Sequence, residues 1–230
     1  CNPGSTTNGN DIVVNHDIST STNIFVNDGS LFTVSILGNL SGMHNMTVSR
    51  GTITFIGDVS LTKFTVNKNG QLNLNGSILS LSNRFIVEGS VLVDAGYVAM
   101  SGGNIDISST GEIITKNAGK LDAYNGNIEN FGTVDICGTC CMTTKGNWKN
   151  HGIVNGSGSA TTTNGNMSND GTWSMDVTWC SAGFDTGMPS AEDCGDATFV
   201  CGQVSLPVEL ANFDVVNFDG CVYISWETIT

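Results

Sequence analysis

Short bursts of alternating apolar and polar residues run along most of this chain, and each burst follows a glycine. Leu31, Ile53, Leu72, Val91, Ile113, Val134, Val154 and Trp173 stand two residues after Gly29, Gly51, Gly70, Gly89, Gly111, Gly132, Gly152 and Gly171. Two positions further on come Thr33, Phe55, Leu74, Val93, Thr115, Ile136, Gly156 and Met175. Alternation after a turn residue predicts a strand with one face inward. The glycines recur every 19 to 22 residues, the period of a coil that cannot bury its own face and must stack on its neighbours. A second strand precedes most of the glycines, as at Met46–Val48, Phe64–Val66, Phe85–Val87 and Ile105–Ile107. A middle strand lies between, as at Ile78–Leu81 and Tyr97–Met100.

Three strands per turn and no helical period predict an all-β chain, a parallel β-solenoid (β-helix) of about eight coils. The solenoid is expected over residues 1–175. A Cys-rich, disulfide-containing C-terminal cap or linker is expected over 176–203, where Trp173, Trp179 and Phe184 cluster with cysteines. Residues 204–230 form a third segment with two further alternating strands, Val208–Phe213 and Val222–Trp226. Asn27, Asn130, Asn150 and Asn169 each sit two residues before a marker glycine. Stacked in successive coils, they are expected to form an amide ladder, to satisfy their own turns, or both.

Composition narrows the chemistry. Charged residues are only 13% of the 230, and the net charge is −13. A phosphate backbone needs cationic partners, so nucleic acid is not an expected ligand, and no apolar run is long enough for a membrane-inserted helix. Serine nucleophile elbows, zinc helices and phosphate loops are missing from the sequence. Any two of the 21 acids could serve as paired carboxylates, and spacing selects none. The best polar–aromatic cluster for ligand contact is Lys145, Trp148, Lys149 and His151, against the alternative of a surface loop with a partly buried Trp. Lys63 and Arg84 are expected at similar positions on adjacent coils. Neither a catalytic set nor a cofactor is expected, and no metal site: Glu192, Asp193 and Asp196 could hold calcium but read as a solvated face.

Eight cysteines, an even number, fit an oxidising compartment, with connectivity left open. Cys137, Cys140 and Cys141 read as a disulfide or as thiols packed inside a coil. Cys180, Cys194 and Cys201 are expected to supply at least one disulfide to the cap.

The C-terminus carries the most specific phrase: Leu206, Pro207, Val208, Glu209 and Leu210, then Phe213, then Val222 to Thr228, which includes Trp226. It resembles the opening of a small β-sandwich module near the C-terminus of type IX secretion cargo proteins. The stretch with Trp179, Cys180, Pro189, Asp193, Cys194 and Cys201 is similar to segments that join solenoids to that phrase. The family's module continues for several more strands, whereas this chain stops at Thr230. The resemblance implies export by the type IX machinery and an extracellular or outer cell-surface location, and it implies no catalytic activity. The expected function is therefore a non-enzymatic secreted or surface rod: an adhesin, stalk or matrix component, with surface glycans or neighbouring copies as further partners. The alternative is a polysaccharide-binding or polysaccharide-degrading β-helix protein.

Overall fold

The computed structural model describes residues 12–19, 22–26, 33–189, 209–218 and 221–229. It is an all-β parallel solenoid of about eight turns, and among the described residues there is no helix. Each turn contributes one strand to each of three parallel faces. The first face holds the strands after the marker glycines, such as Ser90–Asp94 and Glu112–Lys116. The second holds the middle strands, such as Tyr97–Met100 and Lys120–Ala123. The third holds the strands before the next glycine, such as Ile105–Ile107 and Ile128–Asn130. In the early coils the corners are extended too, so that Leu40–Phe55 and Val59–Asn75 each run through all three faces.

The apolar residues after the glycines stack as the alternation predicts. Ile53 pairs with Leu72, Leu72 with Val91, Val91 with Ile113, Ile113 with Val134, Val134 with Val154, and Val154 with Trp173. All are buried. Opposite Ile53 in the preceding coil stands Val34 rather than Leu31; Gly29, Asn27 and Leu31 lie outside the described residues. The second column ends early, because Met175 is exposed. On the third face Met46, Phe64, Phe85, Ile105, Ile128, Trp148 and Met167 form another inward column. Its rings meet edge to face: Phe64 contacts Phe55 and Phe85 at 6.1 and 6.0 Å between centroids, a favoured aromatic geometry.

The parallel pairing continues beyond residue 175. Thr178–Ser181 pairs with Ser159–Thr162, and Asp185–Thr186 pairs with Met167–Asn169. These strands stack as a further coil on the one before; residues 190–203, the rest of the expected cap, lie outside the described residues. Trp173 and Trp179 are buried in that coil, whereas Phe184 is exposed. Trp179 donates from Nε1 to the carbonyl of Pro189 at 3.0 Å.

Close approach of the backbone explains most of the marker glycines. At Gly132, Gly152 and Gly171 an added Cβ would collide with the carbonyl oxygen of the marker glycine one coil before. Only Gly51 among the described markers has a positive φ, 83°. The second corner repeats the device. Gly126, Gly146 and Gly165 stack on one another and on Gly103 in the same way.

Residues Glu209–Phe218 and Cys221–Ile229 form a two-stranded antiparallel hairpin, with Phe213 opposite Trp226 and Val215 opposite Ile224. Glu209, Leu210 and Trp226 of the secretion-type phrase lie in its strands. Leu206, Pro207 and Val208 lie outside the described residues.

Candidate functional site

Amide and hydroxyl ladders replace aliphatic columns in the later coils. On the third face Val48, Val66, Val87 and Ile107 are followed in register by Asn130, Asn150 and Asn169. Asn130 Nδ2 donates to Asn150 Oδ1 at 2.7 Å, and Asn150 Nδ2 donates to Asn169 Oδ1 at 2.6 Å. Asn130 and Asn150 also serve their own turns: Asn130 Oδ1 accepts from Gly132 N at 3.0 Å, and Asn150 Oδ1 accepts from Gly152 N at 3.3 Å. Ladder and turn bonds are thus both present. A buried amide left unpaired would be costly, and these are satisfied several times over. A second ladder, outside the sequence expectations, follows the second corner. Asn104, Asn127, Asn147 and Asn166 each accept, through Oδ1, from the backbone N–H one coil on, at 2.8 to 3.1 Å. Its signal is legible: Gly-Asn followed by an apolar residue, at 103–105, 126–128, 146–148 and 165–167.

The residues expected to contact a ligand do not act as one cluster. Trp148 is fully buried in the third-face column and meets Trp173 edge to face at 5.8 Å. It is out of reach of anything outside the coil, because the odd–even alternation of its strand turns it inward and Lys149 outward. Its Nε1 has no hydrogen-bond partner. His151 stacks on Phe131 at 4.6 Å between centroids, and its Nδ1 lies 2.6 Å from Asp170 Oδ1. Lys145 sits at the second corner, with Nζ 5.3 Å from the centroid of the Tyr124 ring. Lys63 and Arg84 do pair in register on adjacent coils. The Arg84 guanidinium is bonded to Asp106, which holds its pKa above the ordinary value.

The outer surface of the second face carries a trough among the described residues. Its central outward column reads Ser60, Ser80, Ala99, Asp122, Thr143, Thr161 and Cys180. Small residues at consecutive rungs leave a trough of about 600 Å³ beside Ser60, Ser80, Ala99 and Asp122. Tyr97 walls one side and Tyr124 the other. Tyr97 Oη donates to Asp122 Oδ2 at 3.2 Å. Burial first, and then the Asp122 charge, push the Tyr97 phenol up to about 12. A smaller hollow of about 330 Å³ adjoins it, lined by Ala95, Asn117, Ala118 and Lys120 as well as Tyr97 and Asp122. Ala95, Asn117 and Ala118 hold positive φ values of 50°, 49° and 63° there. At Thr143 and Thr161, two and three rungs beyond Ala99, the outward side chains are buried.

Cys137 and Cys140 form a disulfide at the corner between the first and second faces. Cys141 and Cys180 are also disulfide-bonded. Cys194 and Cys201 lie outside the described residues, as do Glu192, Asp193 and Asp196. Among the described residues no group of three or more His, Cys, Asp or Glu is placed to hold a metal ion, and no helix is long and apolar enough to cross a membrane. Comparison of the chain with protein-family models, with curated proteins and with solved structures finds no match.

Proposed function

We propose that this chain is the rod of a non-enzymatic extracellular protein, exported by type IX secretion, that contacts other molecules as an adhesin, stalk or matrix component. The observation that carries this reading is the repetitive surface of the solenoid, on which titratable groups are either spread apart or engaged with one another. Among the described residues Arg84 is occupied by Asp106 and His151 by Asp170, so neither side chain stands free to act as a lone acid or base. The disulfides support an oxidising location, and the Leu206–Leu210 phrase supports the export route.

The test is fractionation of the native host, with and without a working type IX machinery, together with assay of the purified protein for release of new reducing ends from acidic and neutral polysaccharides. Protein at the surface or in the medium only when the machinery works, and no release, is the expected result. Turnover abolished by changing Asp122, Lys145 or His151 would make the chain an enzyme. Retention inside cells that have an intact machinery would exclude the export route.

A further inference from the structure

We infer that the trough on the second face is a binding site for a linear, neutral polysaccharide laid along the solenoid axis. This rests on the reading of the chain as a non-catalytic extracellular rod, and it names what that rod holds. The first argument is from the backbone. Every strand of the trough floor, from Val59–Leu61 through Ile78–Leu81 and Tyr97–Met100 to Lys120–Ala123, is paired on both sides within the sheet. No free edge is offered, so a polypeptide could not be captured there by adding a strand. Recognition must come from side chains.

Those side chains are hydroxyls, one carboxylate and two phenol rings. The Ser60 and Ser80 hydroxyls make no hydrogen bond among the described residues, so both are open to a ligand. Tyr97 stays a neutral phenol, by burial first and then by Asp122, to which its Oη donates. Tyr124 is 59% exposed, with Lys145 against its ring. An aromatic ring offers an apolar face with a polar tip, which suits the C–H face of a sugar ring flanked by its hydroxyls. Asp122 accepts hydrogen bonds in its charged form and so takes hydroxyl donors.

Charge decides between neutral and acidic glycans. Asp122 lies on the floor and the chain carries −13 overall, against Lys145 beside Tyr124 and Lys120 in the adjoining hollow. A polyanion would meet repulsion along the trough. Length decides between a single sugar and a chain. The small outward residues Ser60, Ser80 and Ala99 extend over three successive rungs about 4.8 Å apart, with Asp122 on the fourth, and a pyranose chain advances by nearly one rung per sugar.

The experiment is titration calorimetry of the whole chain with cellohexaose, xylohexaose and mannohexaose, and with a galacturonate hexamer as the acidic control. At least one neutral hexamer is expected to bind and the galacturonate hexamer is not. Tyr124→Ala and Ser80→Trp, each verified as folded by circular dichroism, are expected to weaken binding at least tenfold. Phe131→Ala, on another face, should change it less than twofold. Failure of all neutral hexamers to bind, preference for the acidic one, or equal binding by Ser80→Trp would overturn the inference while leaving the surface rod standing. Cleavage of a bound hexamer would do the reverse: the trough would be upheld and the non-catalytic reading lost.

Discussion

At the residue scale the later coils exchange oily contacts for directed ones. Asn130 and Asn150 fill positions that valine and isoleucine fill in earlier turns, and Thr144, Thr162 and Ser181 follow Ala123 in the same way on the second face. Thr144 donates to the Gly126 carbonyl at 2.5 Å and Thr162 to the Gly165 carbonyl at 2.9 Å, so these hydroxyls tie the second corner shut. The same corners tolerate no side chain at their glycines. Gly132→Ala is expected to destabilise the fold by about 1–3 kcal/mol, the usual range for overpacking, because its Cβ meets backbone oxygens that cannot move aside; a denaturant melt with unchanged midpoint would contradict this. Tyr97 gives a pH signature. Its folded pKa, about 12, lies above the ordinary value of 10, so the folded state holds the proton longer. That contribution is complete below pH 10 and is lost as pH rises towards 12. One of the three tyrosines is therefore expected to titrate late in ultraviolet difference spectra, and Tyr97→Phe should remove that late step.

At the element scale, the strand-forming phrases and their stacking order were legible in the sequence, because an inward column needs an apolar residue at every turn. Ile53 to Trp173 obey that rule without exception. What stayed hidden was what happens at the corners. The marker glycines look like turn residues, whereas most serve to let two backbones touch. The Gly-Asn ladder was present in the letters, yet asparagine suits any loop, and only stacking shows that each amide caps the next coil. Trp148 was misplaced for a related reason: next to Lys145 and Lys149 it resembles a surface aromatic, and only the strand's alternation turns it inward. The trough escaped notice because it is made of serine and alanine, whose function there is to be small. The Cys137–Cys140 bridge closes only a short loop, so the entropy it removes from the unfolded chain is modest. The Cys137→Ser/Cys140→Ser double variant is expected to lose about 2 kcal/mol or less in a denaturant melt, and a loss well above that would assign the bridge a larger part in the corner.

At the scale of the whole molecule, each coil meets only its neighbours, so coils should be removable. Excising residues 72–90 joins Gln71 to Val91, which occupies the register position of Leu72 one turn on. The shortened chain is expected to fold with the same circular dichroism and a rod shorter by about 4.8 Å in small-angle scattering; collapse to an unfolded chain would show that the coils depend on more than adjacent partners. The same arrangement governs how the rod answers a pull. The ladder bonds, main-chain and asparagine alike, lie along the axis, while the chain winds across it. Tension applied through the strand at one end loads one coil's bonds at a time, as in peeling tape, and not all of them together. Each coil let go releases about twenty residues, roughly 70 Å of slack at full extension. A tethered rod of this kind would lengthen in steps under flow or shear, dissipating work at each step while the remaining coils keep their shape. In single-molecule stretching this should read as a train of near-equal force drops, outside the stretches closed by disulfides.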